Sequence, residues 1–568
     1  MNQATKHWQQ FRPDPDLSAN ISKRSDISSV ISQILINRGI ESDEQARAFL
    51  EPKLSSLRDP GDIPHISLAA KRVLLAKERS ENVCVFGDYD VDGVTGTAIL
   101  LETFKSLGIN CSYYIPHRYD EGYGMNADAI KEIFASGAKL IVTVDCGISN
   151  QSEVELANSL GMEVVVTDHH NPPENLPSSV ANVNPKLLKS KHPSKELSGA
   201  GVAFKFAWAL MRSAGIKESG MLLSLLDLVC LGTIADVVPL LDENRILASQ
   251  GLETLSLRKR PGLRALLDVA GVSGKVSATH VNFAIAPRIN AAGRLEKASI
   301  ALDLLMSREE NEARTLAGNL NRINVKRQAI GSKISQEVFA ALKGEDTLEP
   351  IIVVSGNGWH PGVIGIIASQ VVEAFSRPAV LIGVCDGMGR GSARSINGVN
   401  IFELLKSCGD LFKDFGGHEN AAGFELDPLQ IPAFASRLKA EAKAKIKIEE
   451  LTPKIIIDAQ LEPSAITMGL AKELEVLAPF GRGNPQPVFV TKGLKVTDFR
   501  PVGDGSHLKA KFSDGTVSLD TIGFGLFDLS KKLNFSSSYD IAYTLRSNEW
   551  NGFESVELRL LDLKEAMK

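Results

Sequence analysis

The segment Gly87-Asp88-Tyr89-Asp90-Val91-Asp92-Gly93 sets three carboxylates at alternate positions, between the apolar run Val83-Cys84-Val85-Phe86 and a helical pattern. Side chains of an extended chain alternate faces, so Asp88, Asp90 and Asp92 can project to one side. Carboxylates crowded in this way repel, and hard divalent cations that prefer oxygen ligands, Mg²⁺ or Mn²⁺, are the natural neutralising agent. The bland alternative is an Asp-rich turn with solvated side chains. Metal-type residues recur where other apolar runs end. Leu140 to Val144 ends in Asp145-Cys146-Gly147, Val164 to Thr167 in Asp168-His169-His170, and Leu228 to Ala235 leads into Asp236. A lone aspartate after a strand is usually a helix cap, but ligands of open α/β sheets bind beyond the carboxyl ends of strands, so these segments converge on one crevice. Adjacent His169 and His170 cannot easily point the same way. One imidazole is expected on a metal and the other on substrate or behind a ligand, and the spacing leaves open which is which. Two ions about 3.5–4 Å apart would stabilise attacking and leaving oxygens and generate hydroxide near neutral pH, which suits phosphoester hydrolysis.

Such residues need a sheet to hold them. From about Ile66 to Leu241, short apolar runs alternate with amphipathic stretches such as Thr97 to Leu107 and Ala127 to Ala135, which predicts a doubly wound parallel α/β domain. From about Ile300 to Leu342, the spacing of Leu316, Leu320, Ile323, Ile330, Ile334 and Val338 predicts a long connecting helix. Its other face carries Arg314, Arg322, Lys326, Arg327 and Lys333, either as a solvated face or as the lining of a groove. A second α/β lobe runs from Ile351-Ile352-Val353-Val354 to about Lys445. Beyond a Lys-, Glu- and Ala-rich stretch, period-two runs such as Leu508 to Phe512 and the turn signals Asp514-Gly515 and Asn551-Gly552 predict a small β barrel.

At 568 residues the chain has room for several cores, and with 43% hydrophobic and 23% charged residues it is neither disordered nor collagen-like. Its 63 basic and 68 acidic side chains argue against a uniformly basic nucleic-acid coat, so such a partner must be met locally. Six cysteines without a C-x-x-C pair fit reduced thiols. With no apolar leader and no run of about 18 apolar residues, a soluble cytoplasmic protein without membrane partners is expected.

In order, DYDVDG, VDCG, TDHH and GTIADVVPL resemble the DHH phosphoesterase superfamily, whose name comes from the Asp168-His169-His170 triplet. WHPGVIGIIAS (Trp359 to Ser369), GSARS (Gly391 to Ser395) and FGGHENAAGF (Phe415 to Phe424) look like its DHHA1-type second lobe. PRINAAGR (Pro287 to Arg294) and PFGRGNPQPVF (Pro479 to Phe489) are similar to stretches of its bacterial branch of single-strand-specific DNA exonucleases, and the resemblance covers the chain from about residue 80 onward. The expected organisation is an N-terminal extension packing on the catalytic lobe (1–70), followed, as the resemblance implies, by a parallel-sheet DHH catalytic domain (71–298), a connector helix (299–346), a DHHA1 substrate-binding domain (347–450) and an OB-like single-strand-binding barrel (451–568).

The implied activity is metal-dependent 5′ to 3′ degradation of single-stranded DNA to 5′-mononucleotides, in recombination and repair, with Mg²⁺ or Mn²⁺ and two ions. By motif position Asp90, Asp92, Asp145, His169 and Asp236 would be metal ligands, with catalytic Asp88 in the same cluster and catalytic His170 facing the scissile phosphate. An exonuclease must hold an end, and the planar Arg fork suits a terminal phosphate. Arg118 follows the second strand, and the resemblance places it with Ser392 and Arg394, in a glycine-flanked loop, around the 5′-phosphate. It also places Arg288, in a loop with Asn290 and Gly293, and His418 at the substrate. On the barrel, Lys492, Arg500, Lys509, Lys511, Arg546 and an exposed Trp550 would meet the strand. Single-strand-binding protein and a RecQ-type helicase are implied partners of a monomer. Two alternatives stay open: an oligoribonuclease or small-substrate phosphodiesterase of the same superfamily, and a non-catalytic DNA-binding scaffold.

Overall fold

The computed structural model describes residues 6–216, 219–343, 349–550 and 553–566. Five parallel strands, β1 (Asn82–Gly87), β2 (Cys111–Tyr114), β3 (Ala138–Val144), β4 (Glu163–Thr167) and β5 (Ala181–Val183), lie in the order β2-β1-β3-β4-β5. Alternation within β1 splits its side chains between two cores. Val83 and Val85 face one that includes α1 (Val91–Ser106), while Cys84 and Phe86 face another with α2 (Ala127–Ala135) and α3 (Gln151–Ser159). Helices therefore cover both faces, and the near-continuous apolar runs follow from that double burial. All six cysteines are free thiols.

Further helices join this lobe, among them α4 (Gly199–Ser213) and α5 (Ser219–Ala235). The run before Asp236, which stands in the sequence beside the strand ends, is thus a helix. Leu225, Leu226, Leu228, Val229, Cys230 and Leu231 are all buried, and a helix apolar on every side has lost the periodicity that separates it from a strand.

The predicted connector is two helices, Ser299–Met306 and a longer one broken off from it by the extended Ser307. After α6 (Ala286–Leu295), that longer helix is α7 (Glu310–Ala341). Its first half gives Ala317, Leu320 and Ile323 to the catalytic core, and its second half gives Ile334 and Val338 to the core of the next lobe. There α8 (Pro361–Phe375) packs on a mixed sheet of β6 (Ile352–Asn357), β7 (Ala379–Cys385), β8 (Met388–Arg394), β9 (Phe412–His418) and β10 (Ala421–Leu426), in the order β9-β10-β8-β7-β6. The C-terminal strands Val488–Val502, His507–Ser513, Ser518–Gly523, Ser538–Trp550 and Phe553–Glu565 form one sheet, and pairing of the first with the fourth closes it into a barrel.

The N-terminal residues do not pack as expected. Helices Pro15–Ser25, Ser29–Asn37 and Asp43–Leu50 bury Ile21, Ile31, Ile34, Leu35 and Phe49 in the core of the C-terminal module, beside Leu470, Leu474 and Phe489. Strand His7–Gln10 also pairs in parallel with Lys454–Ile457. The chain reaches the catalytic core with Leu54 and Leu57, which pack against it, and enters it from Ile63 and helix Ile66–Glu78 onward. Short amphipathic helices announce an apolar face but not its partner, which is why sequence misplaced them.

Arg245, on helix Asp242–Ser256, ties these parts together. It is buried and donates from Nε to Phe49 O (2.6 Å), from Nη1 to Leu477 O (3.1 Å) and from Nη2 to Ala478 O (2.9 Å), over the Phe49 ring. Arg245→Met keeps much of the volume but strands these carbonyls, and is expected to lower unfolding free energy by roughly 2 kcal/mol. Urea denaturation followed by tryptophan fluorescence would show it; an unchanged midpoint would mean water replaces the guanidinium without cost.

Candidate active site

The acidic segment is not extended throughout. After β1, Asp90 caps α1 by accepting from Asp92 N (2.9 Å) and Gly93 N (3.2 Å), so Asp92 already lies in the first helical turn. A Cβ at Gly93 would stand 2.5 Å from Asp88 O, which explains the glycine. The helical turn swings Asp92 toward α4, where its carboxylate accepts from Gly199 N (2.6 Å) and Ala200 N (2.9 Å). Asp145 follows β3 in the left-handed region, at φ 61°, which Asp tolerates. Asp236 follows α5, next to Val237 at φ 59°, a strained conformation for a β-branched residue.

These turns bring the predicted ligands together. Asp88, Asp90 and Asp145 form one group with ligand atoms within 4.8 Å of one another; Asp92, His169 and Asp236 form a second, and Asp145, His169 and His170 a third. His169 Nε2 lies 3.0 Å from Asp145 Oδ1, 3.5 Å from Asp236 Oδ2 and 3.9 Å from Asp92 Oδ2. None of these contacts is aligned as a hydrogen bond. His169 Nε2, Asp145 Oδ1 and Asp88 Oδ1 are buried atoms without a hydrogen-bond partner, which is the arrangement a divalent cation satisfies. The residues fit Mg²⁺ or Mn²⁺.

The electrostatics agree. Burial first and neighbouring carboxylates second hold Asp88 and Asp145 well above the usual range, and push Asp92 up to about 7 and Asp236 to about 9. Burial and the charge of His170 lower His169 to about 3, so it is neutral and keeps a lone pair for a metal. His170 goes the other way. Burial opposes its charge, but Asp168 Oδ1, 2.8 Å from Nδ1, and nearby carboxylates raise it to about 9. The sequence places Asp168 in this cluster but gives it no role of its own, although its place two residues before His170 is an Asx-turn signal. It accepts from the backbone N–H groups of Ile148, His169 and His170, and His170 holds it below the ordinary value despite burial. Tyr123 was also missed. Its Oη donates to Asp145 O (2.8 Å) and sits 3.1 Å from His170 Nδ1, and no spacing rule would have found it.

A pH dependence follows for the metal-free protein. Asp92 and Asp236 have folded values above their unfolded ones, so their penalty is absent at low pH, grows once pH exceeds the ordinary carboxylate value and is complete by about 7 and about 9. His170, raised to about 9, gives stability that is present below its unfolded value and lost as pH passes 9. In EDTA the melting temperature is therefore expected to fall from pH 6.5 to pH 9.5, and Mn²⁺ should flatten that slope. A rising melting temperature in EDTA would contradict these environments.

The second lobe supplies cations. Ser392 and Arg394 lie on β8, not in a loop, and Arg394 Nη1 donates to Ser392 Oγ (3.1 Å) and Ala393 O (2.7 Å). Both side chains abut Gly365 of α8, where a Cβ would stand 2.8 Å from Arg394 Nη2. Burial and then Arg118 lower Arg394 to about 10. Arg294 is lowered to about 10 by burial and by Arg118 and Arg394 among its neighbours. Arg118 itself lies over the Tyr89 ring at 4.7 Å. Arg294, unassigned in sequence, thus joins the predicted Arg118, Ser392 and Arg394.

Arg288 does not join them. Its segment is helix α6 rather than a loop, and six residues of helix turn it about 240° from Arg294. It donates to Asn321 Oδ1 (3.0 Å), Ala284 O (2.6 Å) and Val269 O (3.5 Å), satisfying carbonyls around the π-helical turn Val281–Ile285. His418, at the end of β9, is near enough to Arg394 and His170 for their charges, after burial, to lower its pKa. It stands where the two lobes face each other. On the barrel, Arg500, Lys509 and Lys511 line a cavity of about 460 Å³ with Asp498, Asp520 and Glu557. Lys492 is exposed outside that lining, Arg546 is paired with Glu557, and the Trp550 side chain and the Asn551-Gly552 turn lie outside the described residues.

A parallel sheet with an Asp/His cluster at its carboxyl edge, joined by a long helix to a lobe whose Ser392 and Arg394 complete an arginine pocket, defines a DHH-type phosphoesterase. Family models for the DHH family N-terminal domain, the DHHA1 domain and the RecJ OB domain match residues 82–233, 348–444 and 457–562. The single-stranded-DNA-specific exonuclease RecJ of Bacillus subtilis is 38% identical over 98% of this chain and 70% of its own length. That of Escherichia coli is 35% identical over 94% of this chain and 95% of its own. The crystal structure of RecJ in complex with Mn²⁺ from Thermus thermophilus aligns with a TM-score of 0.86 at 32% identity, covering 99% of this chain and 80% of that one. The chain belongs to the RecJ family.

Proposed function

We propose that this chain is a divalent-cation-dependent exonuclease that degrades single-stranded DNA from its 5′ end and releases 5′-mononucleotides, in DNA recombination and repair. The observation that carries this reading is the pairing of an acidic and histidine cluster with an arginine pocket to which Arg118 and Arg294 of the same lobe and Arg394 of the other contribute, with His418 between the lobes.

Asp90, Asp92, Asp145, His169 and Asp236 would hold two Mg²⁺ or Mn²⁺ ions. Such ions, when bound, neutralise charge on attacking and leaving oxygens and acidify water. The chain supplies the rest. Arg118, Arg294, Ser392 and Arg394 hold the terminal phosphate, which sets the next phosphodiester at the cluster. His170, kept protonated by Asp168, donates to a non-bridging oxygen of that phosphate. Asp88, buried with an unpartnered oxygen and a raised pKa, is placed to take the proton of the attacking water. The P–O3′ bond breaks, leaving a 3′-hydroxyl on the nucleotide and a new 5′-phosphate on the shortened strand.

The barrel cavity carries the strand beyond. Single-strand-binding protein and a RecQ-type helicase are the partners this role calls for, and the setting is the cytoplasm. Among the described residues no helix is long and apolar enough to cross a membrane. With Mn²⁺ and a 5′-labelled strand, label should appear at once as mononucleotide, whereas a 3′ label should pass through a ladder of shortening products. Mononucleotide arising first from the 3′ label would reverse the polarity, and cleavage of dinucleotides alone would favour a small-substrate phosphodiesterase.

A further inference from the structure

We propose that Arg482, at the tip of a C-terminal loop docked against the Asp236 turn, contacts the phosphate one linkage beyond the scissile one and so sets where the strand leaves the cluster. This rests on the exonuclease reading above. Gly481 N donates to Asn484 O (2.9 Å) and Asn484 N to Gly481 O (3.1 Å), which closes a tight turn with Arg482 and Gly483 at its corner. Leu240 N donates to Arg482 O (2.8 Å), joining that turn to the segment that follows Asp236. The fit is close. A Cβ at Gly481 would stand 2.7 Å from Leu240 Cδ1, and one at Gly483, at φ 77°, would stand 3.1 Å from Leu241 Cδ1.

The turn is braced from three directions. Buried Asn484 donates to Leu477 O (2.7 Å) and Pro479 O (3.0 Å), Arg38 Nε donates to Asn484 Oδ1 (2.8 Å), and Arg245 holds Leu477 O and Ala478 O. Such bracing fixes a backbone, yet the side chain at its corner is exposed. The Arg482 guanidinium makes no hydrogen bond or ion pair among the described residues.

Position gives the ligand. Arg118 lies over the ring of Tyr89, the neighbour of Asp88, and belongs to the end-binding pocket, whereas the Arg482 turn is bonded to the segment that follows Asp236, the carboxylate grouped with Asp92 and His169. A strand whose 5′ end lies at Arg118 and Arg394 and which continues past Asp236 on its 3′ side would meet, at its next phosphate, a cation carried on a braced backbone. Exposed Val237 stands at the same edge, with room for a sugar or base against it.

The test is binding in EDTA, where nothing is cleaved, with a fluorescent 5′-phosphorylated 12-mer. R482A should weaken binding about tenfold and reduce the salt slope by about one, with R482K in between. A neutral methylphosphonate at the second linkage should weaken wild type to the same extent and R482A no further. Melting temperatures of R482A and R482K equal to wild type show that the loop still docks. If R482A binds as wild type does, or remains sensitive to that methylphosphonate, the assignment is wrong. Wild type that binds no single strand at all would overturn the exonuclease reading itself.

Discussion

Asp145→Asn is expected to cost about three orders of magnitude in turnover while leaving fold and strand binding in place. Asp145 is shared by two of the three ligand groups, and its Oδ1 is a buried atom without a hydrogen-bond partner. Asn keeps its shape and tolerates φ 61°, and the backbone bonds survive, with Asp145 N donating to Thr167 O and Tyr123 Oη to Asp145 O. What is lost is one negative charge where divalent ions are to be held. Asp92 would be a less clean choice, because its carboxylate also satisfies Gly199 N and Ala200 N, and truncation would leave two buried donors unpaired. In EDTA near pH 8 the Asn variant should melt no lower than wild type, since it removes a carboxylate that burial and Asp92 already disfavour. Mn²⁺ calorimetry and single-turnover digestion would read the two effects separately. Turnover within tenfold of wild type at saturating Mn²⁺ would remove Asp145 from the ligand set.

The catalytic sheet was legible because doubly buried strands must be apolar along their length, and the residues that break those runs are the ones placed at the sheet's edge. Asp88, Asp145 and the Asp168 triplet could therefore be found from pattern alone. Asp236 was found for a partly wrong reason, since the run before it is a buried helix and only the motif carried the inference. Backbone-directed contacts were not legible. The cap of Asp92 on α4, the bond of Tyr123 to Asp145 O and the Arg245 clamp depend on carbonyls and N–H groups that any residue type presents. Arg288 and Arg294 look alike in PRINAAGR, and only the helical phase of α6 separates the arginine that braces a π turn from the one that reaches the pocket. The N-terminal helices were misplaced because an amphipathic stripe does not name the core it joins.

Arg394→Ala should lower kcat/KM on 5′-phosphorylated strands about 100-fold, about 2.7 kcal/mol of transition-state binding, and should scarcely change it on 5′-hydroxyl strands. Arg394 and Arg294 are held at about 10 by burial and by Arg118, so they remain charged at neutral pH in a pocket of like charge. An anion relieves that repulsion, and a terminal phosphate carries nearly two charges where an internal linkage carries one. The benefit is therefore specific to the end. The strand should tolerate the change, because residue 394 keeps its backbone pairing with Ala421 and Ala379 and truncation removes a like-charge neighbour of Arg118. Arg394→Lys keeps the charge but loses the two-pronged donor, so an intermediate loss is expected. The ratio of kcat/KM between 5′-phosphorylated and 5′-hydroxyl strands is the quantity to measure, since misfolding lowers both rates and leaves the ratio alone. A ratio unchanged in Arg394→Ala would mean that the end is recognised elsewhere, and the polarity argued from this pocket would lose its basis.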